Sequence, residues 1–215
     1  MSAITPTLLP GATGVEAILL AAGESRRMGS PKALLAWGRQ TLVAYQVGEL
    51  FAAGVERVII VVGHEPEAIV DAVASASFEA SRLTVVHNPE YRAGKTTSIR
   101  AGACALSARA TGALLLAVDQ PRPAAIHRLL LAGAARHPDA ILVPTSTGRR
   151  GHPILVPARL HRDLTHLNES ARGLRALLEQ HASTVVEVDV GTSVVHVDCN
   201  DPAAYAEALS AWAPT

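Results

Sequence analysis

The stretch VEAILLAAGESRRMGSPK (residues 15–32) runs from an almost wholly apolar segment straight into two glycines, two adjacent arginines and a lysine. Val15 to Ala22 has the continuous apolar character of a strand buried on both faces. A loop that follows such a strand needs glycine where the backbone turns with positive φ or approaches a ligand closely, and Gly23 and Gly29 are the candidates. Arg26, Arg27 and Lys32, together with backbone N–H groups, could surround a triphosphate. A plain surface turn with solvated arginines is the alternative, but glycines and three cations directly at a strand end favour phosphate binding. The spacing is neither GxGxxG nor GxxxxGK[ST], which sets aside the dinucleotide fingerprint and the P-loop.

Outward from this loop, short β-rich runs alternate with helical patterns. Strands are expected at 15–22, 57–62, 83–87, 113–118, 140–144, 152–156, 184–189 and 194–198. Helices are expected at 41–53, 65–75, 96–109, 123–136, 158–165, 170–181 and 202–212. Gly54 follows one helix, Pro66 sits in the first turn of another, and Asp201-Pro202 opens the last. Runs of Val, Ile and Leu between helices imply an α/β fold, a mostly parallel sheet covered on both faces, with an antiparallel excursion after Gly148-Arg149-Arg150-Gly151. With no repeat or linker, one domain is expected over 15–215, after a loose lead at 1–14.

Composition narrows the function. The chain has 215 residues, 49% hydrophobic and 3% aromatic, with 19 basic against 19 acidic residues, and an isoelectric point near 7.1. That balance argues against a nucleic-acid partner, which calls for a basic stripe. No apolar run is long enough to span a bilayer, and the lead lacks the pattern of a secretory signal. Cys104 and Cys199 have no framework spacing, which suits reduced thiols in the cytoplasm. The nine histidines form neither HExxH nor a Cys/His cluster.

In a parallel sheet, ligands bind beyond the carboxyl ends of the strands. Gly23–Lys32, Gly63-His64, Asn88–Ser98 and Asp119-Gln120-Pro121 should therefore share one rim. The segment AGKTTSIR (93–100) contains the tail of a Walker motif, but Pro89 stands where its first glycine belongs. Its Gly94, Thr96, Thr97 and Ser98 offer amides and hydroxyls at a helix N-terminus, for ligand contact or for capping alone. Lys32 and Lys95 are the only lysines among 19 basic residues, and both fall in glycine-containing rim loops, where a compact ammonium suits phosphate oxygens. Asp119 closes the apolar strand and is placed to hold Mg²⁺ against phosphates, with a helix cap as the plainer role. Asp198 is a second candidate ligand, with Asn200 and Asp201 after it. Arg149-Arg150-Gly151-His152-Pro153 is a further basic cluster, either an anion dock or a solvated turn.

Taken together, these residues resemble the MobA-like nucleotidyltransferase family, most closely its molybdenum-cofactor cytidylyltransferase branch, from about Val15 to Tyr205. LAAGESRRMGSPK (20–32) matches the nucleotide loop LAAGxSxRMGxxK almost position for position. NPEYRAGKTTSIR (88–100) resembles the segment near base and ribose, VDQP (118–121) the metal-binding turn, GRRGHPIL (148–155) the start of the acceptor half, and VDCNDP (197–202) the late DxDTP motif.

The resemblance implies a three-layer, Rossmann-like fold of the nucleotide-diphospho-sugar transferase type, with a nucleotide half over about 15–122 and an acceptor half over about 123–215. It implies Mg²⁺-dependent transfer of CMP from CTP to the phosphate of molybdopterin or Mo-molybdopterin, with release of pyrophosphate. Arg26, Lys32 and Asp119 would carry the chemistry. Leu20, Ala21, Ala22, Gly23, Ser25, Arg27, Met28, Gly29, Gly63, Gly94, Thr96, Thr97 and Ser98 would bind nucleotide, and Asp119 with Asp198 the metal. Arg150, His152 and Arg172 would face the acceptor, and a molybdoenzyme or its chaperone would be a transient partner. The chain departs from the branch at Asn168–Gly173 and at Asn200-Asp201, both of which bear on the acceptor. Alternatives are a guanylyltransferase, a transferase for another small-molecule phosphate, and a non-catalytic nucleotide sensor.

Overall fold

A computed structural model describes residues 14–214, so the expected N-terminal lead lies almost wholly outside the described residues. In chain order the strands are β1 (Val15–Ala21), β2 (Ala36–Trp37), β3 (Gln40–Thr41), β4 (Arg57–Val62), β5 (Leu83–His87), β6 (Gly112–Ala117), β7 (Ile141–Ser146), β8 (Arg149–Arg150), β9 (Ile154–Pro157) and β10 (Val185–Asp189). The helices are α1 (Leu42–Ala53), α2 (Pro66–Ala74), α3 (Lys95–Cys104), α4 (Ala124–Arg136), α5 (His161–Thr165), α6 (Gly173–Gln180) and α7 (Pro202–Trp212).

The main sheet runs β10-β7-β9-β6-β1-β4-β5, with β8 paired to β7. Strands β6, β1, β4 and β5 are mutually parallel. Strand β9 runs against both β6 and β7, so the antiparallel excursion expected after residue 148 is present, and the sheet continues through both halves of the chain.

Side-chain alternation along β1 explains the two covered faces. Val15, Ala17 and Leu19 join Val43, Val47, Leu50, Ile69 and Leu130, from α1, α2 and α4. Ile18 and Leu20 join Ile99, Ala103, Leu164 and Leu177, from α3, α5 and α6. The one acid in β1, Glu16, sits opposite Arg57 in the β1–β4 register and accepts its Nη2 hydrogen bond at 2.7 Å, which satisfies a carboxylate that is 3% exposed.

Local signals set the helix ends. The Thr41 hydroxyl accepts from Ala44 N to open α1, and Gly54, at φ 99°, closes it. Helix α3 can cross β1 closely because residue 102 is glycine: a Cβ there would lie 2.4 Å from Ile18 Cγ2. That approach carries the N-terminus of α3 over the rim of the sheet.

Three expected elements differ. Residues 194–198 do not form a strand; Ser193–His196 is a 3₁₀ turn, because Val194 and Val195 pack beside Ile126 and the chain then bonds to the β6 turn through Cys199 N to Asp119 O (2.8 Å). Helix α6 begins at Gly173 rather than 170, since Asn168–Arg172 is a turn with Arg172 at φ 66°. Helix α3 ends at Cys104, well before 109. The β2–β3 hairpin was not anticipated; two-residue strands give too little alternation to read.

Candidate active site

A cleft of about 720 Å³ opens at the carboxyl ends of β1 and β6. Its wall on one side is the end of β1 and the loop after it: Leu20, Ala21, Ala22, Gly23, Ser25, Arg26, Arg27 and Lys32 all line it. The loop is braced internally by Met28 N to Ser25 O (2.8 Å) and by Lys32 N to the Ser25 hydroxyl (2.9 Å). Gly29 is in the left-handed region at φ 70°. At Gly23 φ is ordinary, and nothing lies within 4 Å of where a Cβ would be, so the space above its backbone is open to the cleft.

The floor is charged. Lys32 Nζ donates to Asp119 Oδ2 at 2.6 Å and to Asn200 Oδ1 at 3.1 Å. Asp198 faces the same space; burial pushes its carboxyl up from the ordinary value, and the Asp119 charge adds to this, against Asn200, Lys32 and Arg122. Burial and both carboxylates lift the Cys199 thiol to about 12, which keeps it protonated.

The turn carrying Asp119 is clamped by two side chains that the sequence did not single out. Gln46 of α1, fully buried, donates Nε2 to Gln120 O at 2.6 Å, with Ala117 O and Val118 O at 3.3 and 3.4 Å. Gln120 closes the turn on itself by accepting from Ala117 N at 3.2 Å. On the other side the buried Arg122 guanidinium donates to Pro121 O, His152 O and Val195 O. A polar residue among the apolar first turns of a helix (Gln46) and a cation between two prolines (Arg122) were the only sequence signals for either.

The opposite wall brings Tyr91, Arg92, Lys95 and Ser98 to the cleft. Tyr91 packs on Gly63, where a Cβ would sit 2.8 Å from the ring and 2.8 Å from Ala22 O, so Gly63 seats that wall against the loop without lining the cleft. Glu24 joins the two walls: it accepts from Arg26 Nε and from Arg92 Nε, each at 2.5 Å. Those bonds hold its carboxyl down at about 2. Among the described residues the Arg27 and Lys95 side chains make no hydrogen bond or ion pair, and both line the cleft, where they can meet an anion.

The remaining expected residues lie elsewhere. Met28 and Gly29 belong to the loop but are not in the cleft lining. Thr96 turns away, giving its amide (2.9 Å) and hydroxyl (2.6 Å) to Glu169, and Gly94 lies beneath the same carboxylate. The Thr97 hydroxyl is held by Asn88 and the Gly94 carbonyl. Thr96 and Thr97 line a separate hollow of about 460 Å³ with Arg100, His166 and Glu169. Arg150 pairs with Glu187 at 2.7 Å and Arg172 with Glu179 at 2.6 Å, both away from the cleft. His152 is half-buried behind the floor, where burial first, then Lys95 and Arg122, hold its ring down at about 4.

The MobA-like NTP transferase domain matches residues 17–185. The chain belongs to that family. It is a nucleotidyltransferase, and a nucleoside triphosphate is its substrate. Nicotine blue oxidoreductase of Paenarthrobacter nicotinovorans is 32% identical over 193 residues, covering 85% of this chain and 89% of that protein. The molybdenum cofactor cytidylyltransferase of Escherichia coli (strain K12) is 28% identical over 190 residues, covering 88% and 93%. Rv0371c of Mycobacterium tuberculosis H37Rv superposes with a TM-score of 0.78 at 26% identity, over 94% of this chain and all of that one. A second structure of Rv0371c, a complex with manganese, superposes at 0.72 with 24% identity, over the same shares. No helix among the described residues is long and apolar enough to cross a membrane.

Proposed function

We propose that this chain moves CMP from CTP to the phosphate of molybdopterin or Mo-molybdopterin, releasing pyrophosphate, in the cytoplasm. The observation that carries the reading is the cleft floor, where Lys32, Asp119, Asn200 and Asp198 meet beneath a loop rich in cations. The cytidine and the acceptor are supported by the similarity to the E. coli cytidylyltransferase over 88% of this chain and 93% of that one.

The floor suits a hard divalent cation such as Mg²⁺. Two carboxylates and an amide oxygen are the right donors, and the ammonium already lodged between Asp119 and Asn200 shows that the spot accepts positive charge. Among the described residues no three His, Cys, Asp or Glu side chains gather into a cage. Asp119 and Asp198 would therefore supply part of the coordination, with phosphate oxygens and water completing it, as is usual for Mg²⁺. When bound, the ion would neutralise charge on the triphosphate.

The chain's own residues do the rest by placement and electrostatics. Arg26, Arg27 and Lys32, with the loop amides, hold the triphosphate, and Lys95 adds charge from the facing wall. An oxygen of the acceptor phosphate forms its bond to the α-phosphorus as the bond to the bridging oxygen breaks and pyrophosphate departs. No covalent enzyme intermediate is needed. An oxidoreductase role like the one named for the P. nicotinovorans relative would leave the two carboxylates of the floor without a task.

The test is a thermal-shift panel of CTP, GTP, ATP and UTP with Mg²⁺. At a hundredfold excess over Kd the preferred nucleotide adds about 2.7 kcal/mol to the folded state. The reading requires CTP to stabilise most. A GTP optimum replaces cytidine with guanosine, and no shift with any of the four removes the triphosphate site.

A further inference from the structure

We propose that Arg122 is the positioning residue of the carboxylate floor: it fixes the segments that carry Asp119 and Asp198 relative to each other and sets a buried positive charge behind them. This rests on the reading of Asp119 and Asp198 as the pair that holds the cation.

Arg122 is 1% exposed, and its guanidinium spans three chain segments. Nη1 donates to Pro121 O at 3.0 Å, Nε to His152 O at 2.9 Å, and Nη2 to Val195 O at 2.9 Å. Pro121 is two residues beyond Asp119, and Val195 three residues before Asp198. His152 leads into β9, the antiparallel strand beside β6. One side chain therefore ties the turn at the end of β6 to the 3₁₀ turn and to the start of β9. Two backbone bonds complete the knot: His152 N to Val195 O (3.1 Å) and Cys199 N to Asp119 O (2.8 Å). Pro121 and Pro123 on either side restrict the local backbone and help aim the side chain inward.

A fully buried cation normally demands a bonded carboxylate, because an unpaired buried charge is costly. Among the described residues Arg122 bonds to carbonyls alone. Its compensation comes through space, from Asp198 and Asp119, which oppose the burial that draws the guanidinium down to about 10; it stays charged near neutral pH. Two carboxylates brought together before any cation arrives repel one another, and a buried positive charge behind them offsets that repulsion. The planar fork suits the purpose better than an ammonium, since three fixed donors can hold three separate carbonyls at once.

The test uses the full chain and Mn²⁺, followed by electron paramagnetic resonance in the presence of CTP, with CTP binding in EDTA measured alongside. Arg122→Met should weaken Mn²⁺ by about 10–100-fold, the usual effect of losing a group that orients ligands. CTP binding in EDTA, which depends on the loop cations, should be unchanged, and Arg122→Lys should recover most of the Mn²⁺ affinity. Both substitutions lower the melting temperature, so all binding is measured well below it. Arg122→Met binding Mn²⁺ like the parent overturns the proposal, as does an equal loss of Mn²⁺ and of metal-free CTP binding. If Arg122→Met does not fold, Arg122→Gln, which also lacks the charge, takes its place: selectively weakened Mn²⁺ sustains the proposal, and parental values for both overturn it. Asp119→Asn separates the two levels. Lost Mn²⁺ binding there with parental binding in Arg122→Met discards Arg122 only, whereas parental binding in Asp119→Asn discards the cation-holding pair and the proposal with it.

Discussion

Lys32→Met should uncouple the floor of the cleft in two measurable ways. The ammonium lies 2.6 Å from Asp119 Oδ2, and the two side chains are 13% and 18% exposed. At an effective dielectric of about 20, charges at that separation attract by about 6 kcal/mol before desolvation is counted. Water still reaches both groups, so the net loss is expected to be nearer 2–3 kcal/mol, below the figure for removing one partner of a wholly buried pair. Removal also takes away one of the two cations, Lys32 and Arg122, that offset the repulsion between Asp119 and Asp198. The assay is urea unfolding in EDTA for Lys32→Met, Asp119→Asn and the double variant. The double variant should be less destabilised than the two singles together by about 1–3 kcal/mol, as for residues in one ion-pair network. CTP affinity in Mg²⁺ should fall by about 10–100-fold in Lys32→Met, the value of a hydrogen bond from a charged donor. Strict additivity would show that ammonium and carboxylate do not feel each other. Unchanged CTP affinity would remove Lys32 from the triphosphate site.

Other outcomes follow from the geometry around that floor. Glu24→Gln releases Arg26 and Arg92 from a carboxylate that neutralises both, and should tighten CTP binding in a direct titration with little change in melting temperature, since exposed ion pairs contribute little. Gly173→Ala places a Cβ 2.4 Å from Thr96 Cγ2 at a φ of 51°, and should cost about 1–3 kcal/mol in denaturant melts, from overpacking and left-handed strain together. His127 is completely buried, and burial first, then the Arg122 charge, holds its ring at about 3 against an ordinary 6.5. The unfolded chain therefore takes up a proton below about pH 6.5 that the folded state refuses, so this stability is complete above that pH. It is lost towards pH 3, by about 1.4 kcal/mol per unit, and stability–pH curves of His127→Leu should be flatter over that window.

The readable part of the molecule was the part whose signals are local. Nearly unbroken apolar runs marked β1, β4 and β6, and glycine, proline and aspartate at helix ends marked α1, α2 and α7, so the α/β class and the rim carrying the cleft could be read directly. The loop from Gly23 to Lys32 and the Asp119 turn could be placed together because both follow strands of a parallel sheet, whose carboxyl ends share one rim; that β1 and β6 are neighbours came from the structure. What was hidden depended on partners distant in sequence. Val194-Val195-His196-Val197 alternates like a strand, yet the bond from Cys199 to the Asp119 turn draws it into a 3₁₀ turn instead. Thr96 carries the residue type of a phosphate contact, but Glu169, 73 positions away, takes both its donors. Gln46 and Arg122 read as a helix residue and a turn cation until the backbone carbonyls around them are seen.

Pyrophosphate release is the most direct test of the central claim that the cleft transfers a nucleotidyl group from its triphosphate. The protein is supplied with Mg²⁺, CTP and molybdopterin or Mo-molybdopterin, and pyrophosphate is measured beside the cytidylylated acceptor, with Asp119→Asn in parallel. The account predicts stoichiometric pyrophosphate and CMP-linked acceptor from the parent, with turnover in Asp119→Asn lowered about 10²–10³-fold at an intact fold, as for loss of one preorganised electrostatic stabiliser. Mg²⁺-dependent CTP binding with no pyrophosphate from any phosphorylated acceptor, or full turnover in Asp119→Asn, would contradict it.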